Sequence, residues 1–192
     1  MTTLRAAAPS VTPVLLAEAK AHLRVDGDEE NDLITGLIEA AVALIDGQGV
    51  LGRAIITQSW AQWVNQSPGW VRLEVGPFQG LTSVQYYDED SALQTATLSD
   101  FETRLAGDFV TLKPKEGKVW PRAETRQDAI KITYVAGYGD AGADVPRNIR
   151  LAILMMVAHW YERRMAVSEV RLHDVPLAVD ALLGVDRVGW YG

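Results

Sequence analysis

The chain has no cysteine in its 192 residues. That excludes a disulfide framework, a thiol nucleophile and a thiolate zinc site, and it points to synthesis in a reducing, cytoplasmic compartment. Histidine is scarce as well: His22, His159 and His173 are the full set. Long apolar runs are missing, the longest being Leu151 to Ala158, far short of the roughly 20 residues a membrane span needs. The start does not read as a secretory signal, because Arg5 is its one positive residue and Pro9, Thr12 and Pro13 interrupt any apolar stretch. Positive charge is in deficit too, with 18 Lys+Arg against 25 Asp+Glu and a net charge of −7. Binding to nucleic acid draws its affinity from cations that neutralise phosphates, so this balance disfavours a protein built to grip DNA or RNA. What the chain does have, 48% hydrophobic and 22% charged residues, is the composition of a folded domain, or of one domain with an insertion.

The acidity is front-loaded: residues 1–50 carry three basic and eight acidic side chains. This segment reads as two helices over about 14–47. Leu16, Ala19 and Leu23 recur at helical spacing, Gly27 is the expected break, and Leu33, Ile34, Leu37, Ile38, Ala41, Leu44 and Ile45 form a second pattern stopped by Gly47 and Gly49. From about 53 to 136 the period changes to that of strands. Ile56, Trp60 and Val64 share one face, Val71, Leu73 and Val75 alternate with polar neighbours, and further runs cover Leu81–Tyr87, Leu93–Leu98, Asp108–Leu112 and Ala129–Val135. No helical segment separates them, so an antiparallel sheet is expected. Helix returns over about 145–184, with Asp144 as the expected N-cap and apolar residues on two faces, Ile149, Ile153, Met156 and Val157 on one and Leu151, Leu154, Met155 and Ala158 on the other. Residues 185–192 form a tail. The expected architecture is therefore α+β, a helical bundle of two N-terminal helices and a long C-terminal helix with an inserted antiparallel sheet, in a single domain over 1–192.

No constellation of catalytic residues emerges. Gly137-Tyr138-Gly139-Asp140-Ala141-Gly142 fits the dinucleotide pattern G-x-G-x-x-G, but Asp140 and Asp144 would repel a pyrophosphate, and Glu162, the acidic residue at about the right distance for a ribose, falls inside the following helix. His159 and Glu162 lie three apart on a helix, half of a metal pair with too few further histidines to complete it. Lys113, Lys115, Lys118, Arg122 and Arg126 form a basic group around Trp120, broken up by Glu116, Glu124 and Asp128; it reads as a solvated loop, with a single-strand nucleic-acid platform as the rival reading. Six tryptophans are many for this length, and most are expected in the core; Trp190 and Tyr191, in a short tail, are expected at an interface.

Taken in order, residues 16–25, the acidic step into Asp32-Leu33-Ile34, 52–60, 81–86, Val119-Trp120-Pro121, 134–139, Val145-Pro146 and 158–162 resemble the head–tail connector (adaptor, or head-completion) family of long-tailed phages, prophages and phage-derived gene transfer agents. The resemblance spans roughly residues 13–188. It implies a non-enzymatic structural protein without cofactor or metal, located in a virion or phage-like particle. Copies would assemble as a twelve-fold homo-oligomeric ring beneath the portal protein, extending the DNA channel and offering a platform to a tail-side stopper or tail-terminator protein. Double-stranded DNA would pass through without specific binding. Where the family pattern has a tyrosine before the arginine near the C-terminus, this chain has Asp186. On this reading Arg187, Trp190 and Tyr191 are expected at the portal interface, and Asp26, Asp28, Glu29 and Glu30, or Asp88, Glu89 and Asp90, are expected to face the channel. The competing reading is a small nucleotide- or ligand-binding domain using the Gly137–Gly142 loop.

Overall fold

The computed structural model describes residues 1–65, 68–106, 109–163 and 177–187. Two compact units divide the chain, residues 1–9 with 57–137 and residues 10–56 with 138–192, so the boundary falls a few residues after the change of hydrophobic period expected at about 53.

The first unit is all β. Strands β1 (Thr2–Ala7), β2 (Gln58–Val64), β4 (Phe78–Tyr87), β5 (Leu93–Thr95) and β8 (Ile130–Ala136) form an antiparallel sheet in the order β1-β2-β8-β4-β5, and β3 (Val71–Leu73), β6 (Phe101–Ala106) and β7 (Phe109–Pro114) form a second sheet in the order β3-β7-β6. The central strand β8 alternates strictly, burying Ile130, Ile132, Tyr134 and Ala136, and its register sets Trp60 of β2 against Tyr134 and Val64 against Ile130. One face of β2 and β8 is therefore buried, as the period-two pattern requires, with Gln62 set among its apolar residues opposite Ile132. The residues after β2 cover part of it. Gln62, fully buried, donates to the Arg72 carbonyl at 2.7 Å and accepts from the Glu74 N–H at 3.1 Å, and the Tyr134 hydroxyl accepts from the Val75 N–H at 3.1 Å. Gln62 and the Tyr134 hydroxyl thus each answer backbone groups of the segment that carries β3. Of the tryptophans in this unit, Trp60 and Trp120 are buried, whereas Trp70 is 60% exposed.

The second unit is helical: α1 (Leu16–Leu23), α2 (Asn31–Ile45), α3 (Arg147–Arg163) and α4 (Leu177–Gly184). Ile34, Ile38, Ala41 and Ile45 of α2 meet Ile149, Ala152, Ile153, Met156 and Val157 of α3 in one core, closed by Val179 and Leu183 of α4. Ile56, expected on a strand face with Trp60 and Val64, is buried in this core instead, as is Ile55, whose N–H donates to the Asp46 carboxylate at 2.8 Å; β2 starts only at Gln58.

Two helix boundaries differ from expectation. Helix α1 ends at Arg24, which takes the left-handed conformation (φ 59) and lets Val25 N–H close onto the Lys20 carbonyl at 3.0 Å, so Gly27 is not the break. Asp144 is not the N-cap of α3. It lies in a short 3-10 turn, Gly142–Asp144, and its carboxylate accepts from the Ala141 N–H at 3.0 Å; the Pro146 carbonyl receives the first helical bonds, from Ile149 and Arg150. A proline at that position sacrifices nothing, because an N–H there has no intrahelical partner.

Candidate functional site

The first acidic turn belongs to the helical unit. Asp26, Asp28 and Glu29 are exposed and Glu30 is half-buried. Asp28 accepts from Lys20 Nζ at 2.8 Å and from Asn31 Nδ2 at 3.1 Å, and these bonds, the lysine's first, hold its carboxyl below the usual carboxylate range. Glu30 accepts from the Tyr161 hydroxyl of α3. The turn is thus clipped to both α1 and α3, and Asp26 and Glu29 are left as its freely solvated charges among the described residues.

The second acidic turn belongs to the β unit and joins β4 to β5. Asp88 accepts from the N–H groups of Asp90 (3.1 Å) and Ala92 (2.9 Å) and from Gln94 Nε2 (2.7 Å). Its carboxyl is lowered mainly by the Gln94 bond. This carboxylate builds the turn, standing in for backbone acceptors as aspartate does in such turns. Glu89 pairs with Arg122 at 2.8 Å, both well exposed, while Asp90 is exposed.

The basic group is similarly balanced. Lys113 pairs with Glu102 at 3.0 Å, Lys118 with Asp100 at 2.9 Å and Arg126 with Glu124 at 3.6 Å, and the Arg126 guanidinium also stands over Tyr87. With Arg122 on Glu89, four of the five cations are each matched with a carboxylate and Lys115 is exposed, which leaves little field for phosphate. Trp120, buried and packed at 5.0 Å on Phe101, offers no face for stacking a base.

The Gly137–Gly142 stretch has structural reasons for its glycines. Gly137 takes φ 148, a conformation that side chains disfavour. A Cβ on Gly139 would collide with the Asp144 side chain, and one on Gly142 would lie 2.6 Å from the Pro13 carbonyl oxygen. The strand that precedes it, β8, sits between antiparallel neighbours, so the parallel βαβ frame of a dinucleotide site is absent among the described residues. No group of three or more His, Asp or Glu among the described residues is placed to hold a metal, and no helix among them is long and apolar enough to cross a membrane.

At the C-terminal end, Arg187 is tied down. Its Nε donates to the Val50 carbonyl at 3.0 Å, its guanidinium reaches Asp180 of α4 at 2.7 Å, and its N–H donates to the Leu183 carbonyl at 2.9 Å. Asp186 is held beside it. Arg53 Nε donates to its carbonyl at 2.6 Å, and Asn148 Nδ2 donates to its carboxylate at 2.6 Å and to the Leu182 carbonyl at 3.0 Å. Arg53 and Asn148, 133 and 38 residues away along the chain, carry no local signal of this role. Trp190 and Tyr191, expected at the same interface, lie outside the described residues.

The fold is therefore α+β, a helical bundle with an antiparallel β-sheet region, and its prominent polar groups serve turns, caps and chain ends. A family model described as "Head completion protein" matches residues 15–171, and the chain belongs to that family. Among solved structures it is similar to a chain in the neck of an empty GTA particle treated with C6 symmetry (TM-score 0.79, 18% identity, covering 98% of this chain and 96% of that one). It is also similar to a chain in the virion of a native gene transfer agent (GTA) particle (TM-score 0.77, 20% identity, 98% and 96% covered) and to one in the neck of a native GTA particle treated with C12 symmetry (TM-score 0.75, 19% identity, 98% and 96% covered). No curated protein matches the chain.

Proposed function

We propose that this protein is a non-enzymatic structural subunit of the head–tail interface of a phage or gene-transfer-agent particle, where copies form a ring between the portal and the tail. One observation carries most of the reading: the head-completion match over residues 15–171 coincides with a fold shared, across 98% of the chain, with a protein from a neck of C12 symmetry. On this reading the ring is twelve-fold, extends the DNA channel and presents its far side to a stopper or tail-terminator protein. Within the two acidic turns Asp26, Glu29 and Asp90 are exposed carboxylates outside the ion pairs described, and the reading places one or both of these turns toward the lumen, where a repulsive wall lets DNA slide. Arg187 roots the tail by its bonds to Val50 and Asp180, and Trp190 and Tyr191 beyond it are the aromatic anchors for the portal.

The test is to mix the purified chain with portal protein and measure the mass and symmetry of the product. A ring of this chain on one face of the portal is expected, and absence of any complex would overturn the proposal. Truncation after Arg187 spares the bonds that Asp186 and Arg187 make within the helical unit. Loss of portal attachment on truncation is expected, and undiminished attachment would refute the role given to Trp190 and Tyr191.

A further inference from the structure

Helix α3 buries one face in the core and leaves the other only partly covered, Leu154 and Met155 of that face packing against the core while Leu151 is exposed. Arg147, Leu151, Leu154, Ala158 and Glu162 follow one another at spacings of three and four, so they line a single stripe. It lies opposite Ile149, Ala152, Ile153, Met156 and Val157, which are buried. Along the stripe Leu151 is 42% exposed, Leu154 and Ala158 are half-buried, and Met155 lies half-buried at its edge. The polar side chains at its margins are engaged within the helical unit: Arg150 with Glu18 of α1, Tyr161 with Glu30, and Asn148 with Leu182 and Asp186. The charges at the two ends of the stripe are not. Arg147 and Glu162 are exposed, and neither pairs with another described residue.

We propose that this stripe is a two-fold contact through which free subunits pair, α3 against α3 in antiparallel order. Arg147 and Glu162 are equidistant from the midpoint between Leu154 and Met155. A two-fold axis there sets Arg147 against Glu162 of the partner subunit and, by symmetry, Glu162 against Arg147 of the partner subunit, about 22 Å apart along the helix. The same axis sets Leu151 against Ala158 of the partner subunit, large against small, and Leu154 against Met155 of the partner subunit. Parallel helices would instead bring like charges together at both ends, so charge selects the antiparallel arrangement. An isologous contact closes at two copies, whereas a head-to-tail contact propagates. Pairing therefore covers the apolar stripe of the free subunit without starting a ring. One helix pair sits at the small end of interface sizes, so the dimer is weak and concentration-dependent.

Sedimentation equilibrium of the full chain at low salt should show a monomer–dimer equilibrium. Arg147→Glu and Glu162→Arg should each weaken it about tenfold, and the double variant should restore it. Unchanged thermal unfolding of the single variants at low protein concentration would establish that they fold. Because the chain lacks cysteine, disulfide trapping is a second readout. The pair Leu151→Cys and Ala158→Cys in one chain should give covalent dimers on mild oxidation. Leu151→Cys alone should not, because its two copies would sit about 10 Å apart along the helix, beyond disulfide reach. A chain that stays monomeric at all concentrations, a double charge variant that fails to restore pairing, or equal trapping by the single cysteine would overturn the proposal. Each outcome is read without portal protein, so it stands apart from the ring assay.

Discussion

Replacing Ile153 by alanine tests the assignment of α3's buried face. Ile153 is fully buried in the helical core, between residues contributed by α2 and α4. Truncation removes three carbons and leaves a cavity that closely packed neighbours fill only in part, a change that costs about 2–5 kcal/mol. For a chain of this size each kcal/mol shifts the melting midpoint by roughly 2–4 °C, so the helical signal should melt about 10 °C lower. Leu151→Ala, two positions earlier and on the exposed side, should change stability by no more than about 0.5 kcal/mol, or a degree or two. Both melts should be followed by far-ultraviolet circular dichroism at low protein concentration, where subunit pairing contributes nothing. Comparable losses for the two variants, or a larger loss for Leu151→Ala, would refute the division of α3 into a core face and a free face.

Other consequences can be checked in the same way. Gln62→Leu keeps the volume but strands the Arg72 carbonyl and the Glu74 N–H in the β unit, and chemical denaturation should report a loss of about 2–5 kcal/mol. Glu18, Asp28 and Asp88 have depressed carboxyl groups, Glu18 chiefly through the Leu15 N–H. A depressed folded-state value adds stability that is complete above the ordinary carboxylate range and fades as pH falls through the folded value, so stability should hold from neutral pH to about 5 and decline below about 4. Asp28→Asn and Asp88→Asn should each make that acid decline shallower in a pH series of melts, and an unchanged slope in both would contradict the bonding described. Gly139→Val should lower the melting temperature by pushing Asp144 off the Ala141 N–H, and calorimetry should detect no nucleotide binding before or after the change; binding lost on substitution would revive the ligand-site reading.

The regular elements were legible wherever burial had a clean period. The strict alternation of β8 and of Val71, Leu73 and Val75 is visible in the residues alone, and so is the helical spacing of Ile34, Ile38, Ala41 and Ile45, because one face of each meets the core over several turns or pleats. Strand β1 escaped notice because Thr3 is its single buried side chain, and β6 because only Phe101 of its six residues is buried. Each is an edge strand, so backbone pairing specifies it and its side chains face water, leaving no pattern to read. Ile56 misleads for the opposite reason, being apolar at strand spacing with Trp60 and Val64 yet placed by chain continuity in the helical core.

The sequence by itself determined the α+β class, the excess of acid at the front, the lack of thiol chemistry and the order of motifs shared with head-completion proteins, since composition and local period are properties of the chain. Only the tertiary structure decided which charges remain free. Asp28, Asp88, Glu89 and four of the five cations near Trp120 are matched by partners up to 33 residues away, and Arg187 is fastened by Val50, 137 residues distant. Long-range contacts of that kind follow from how elements pack, and no local spacing encodes them.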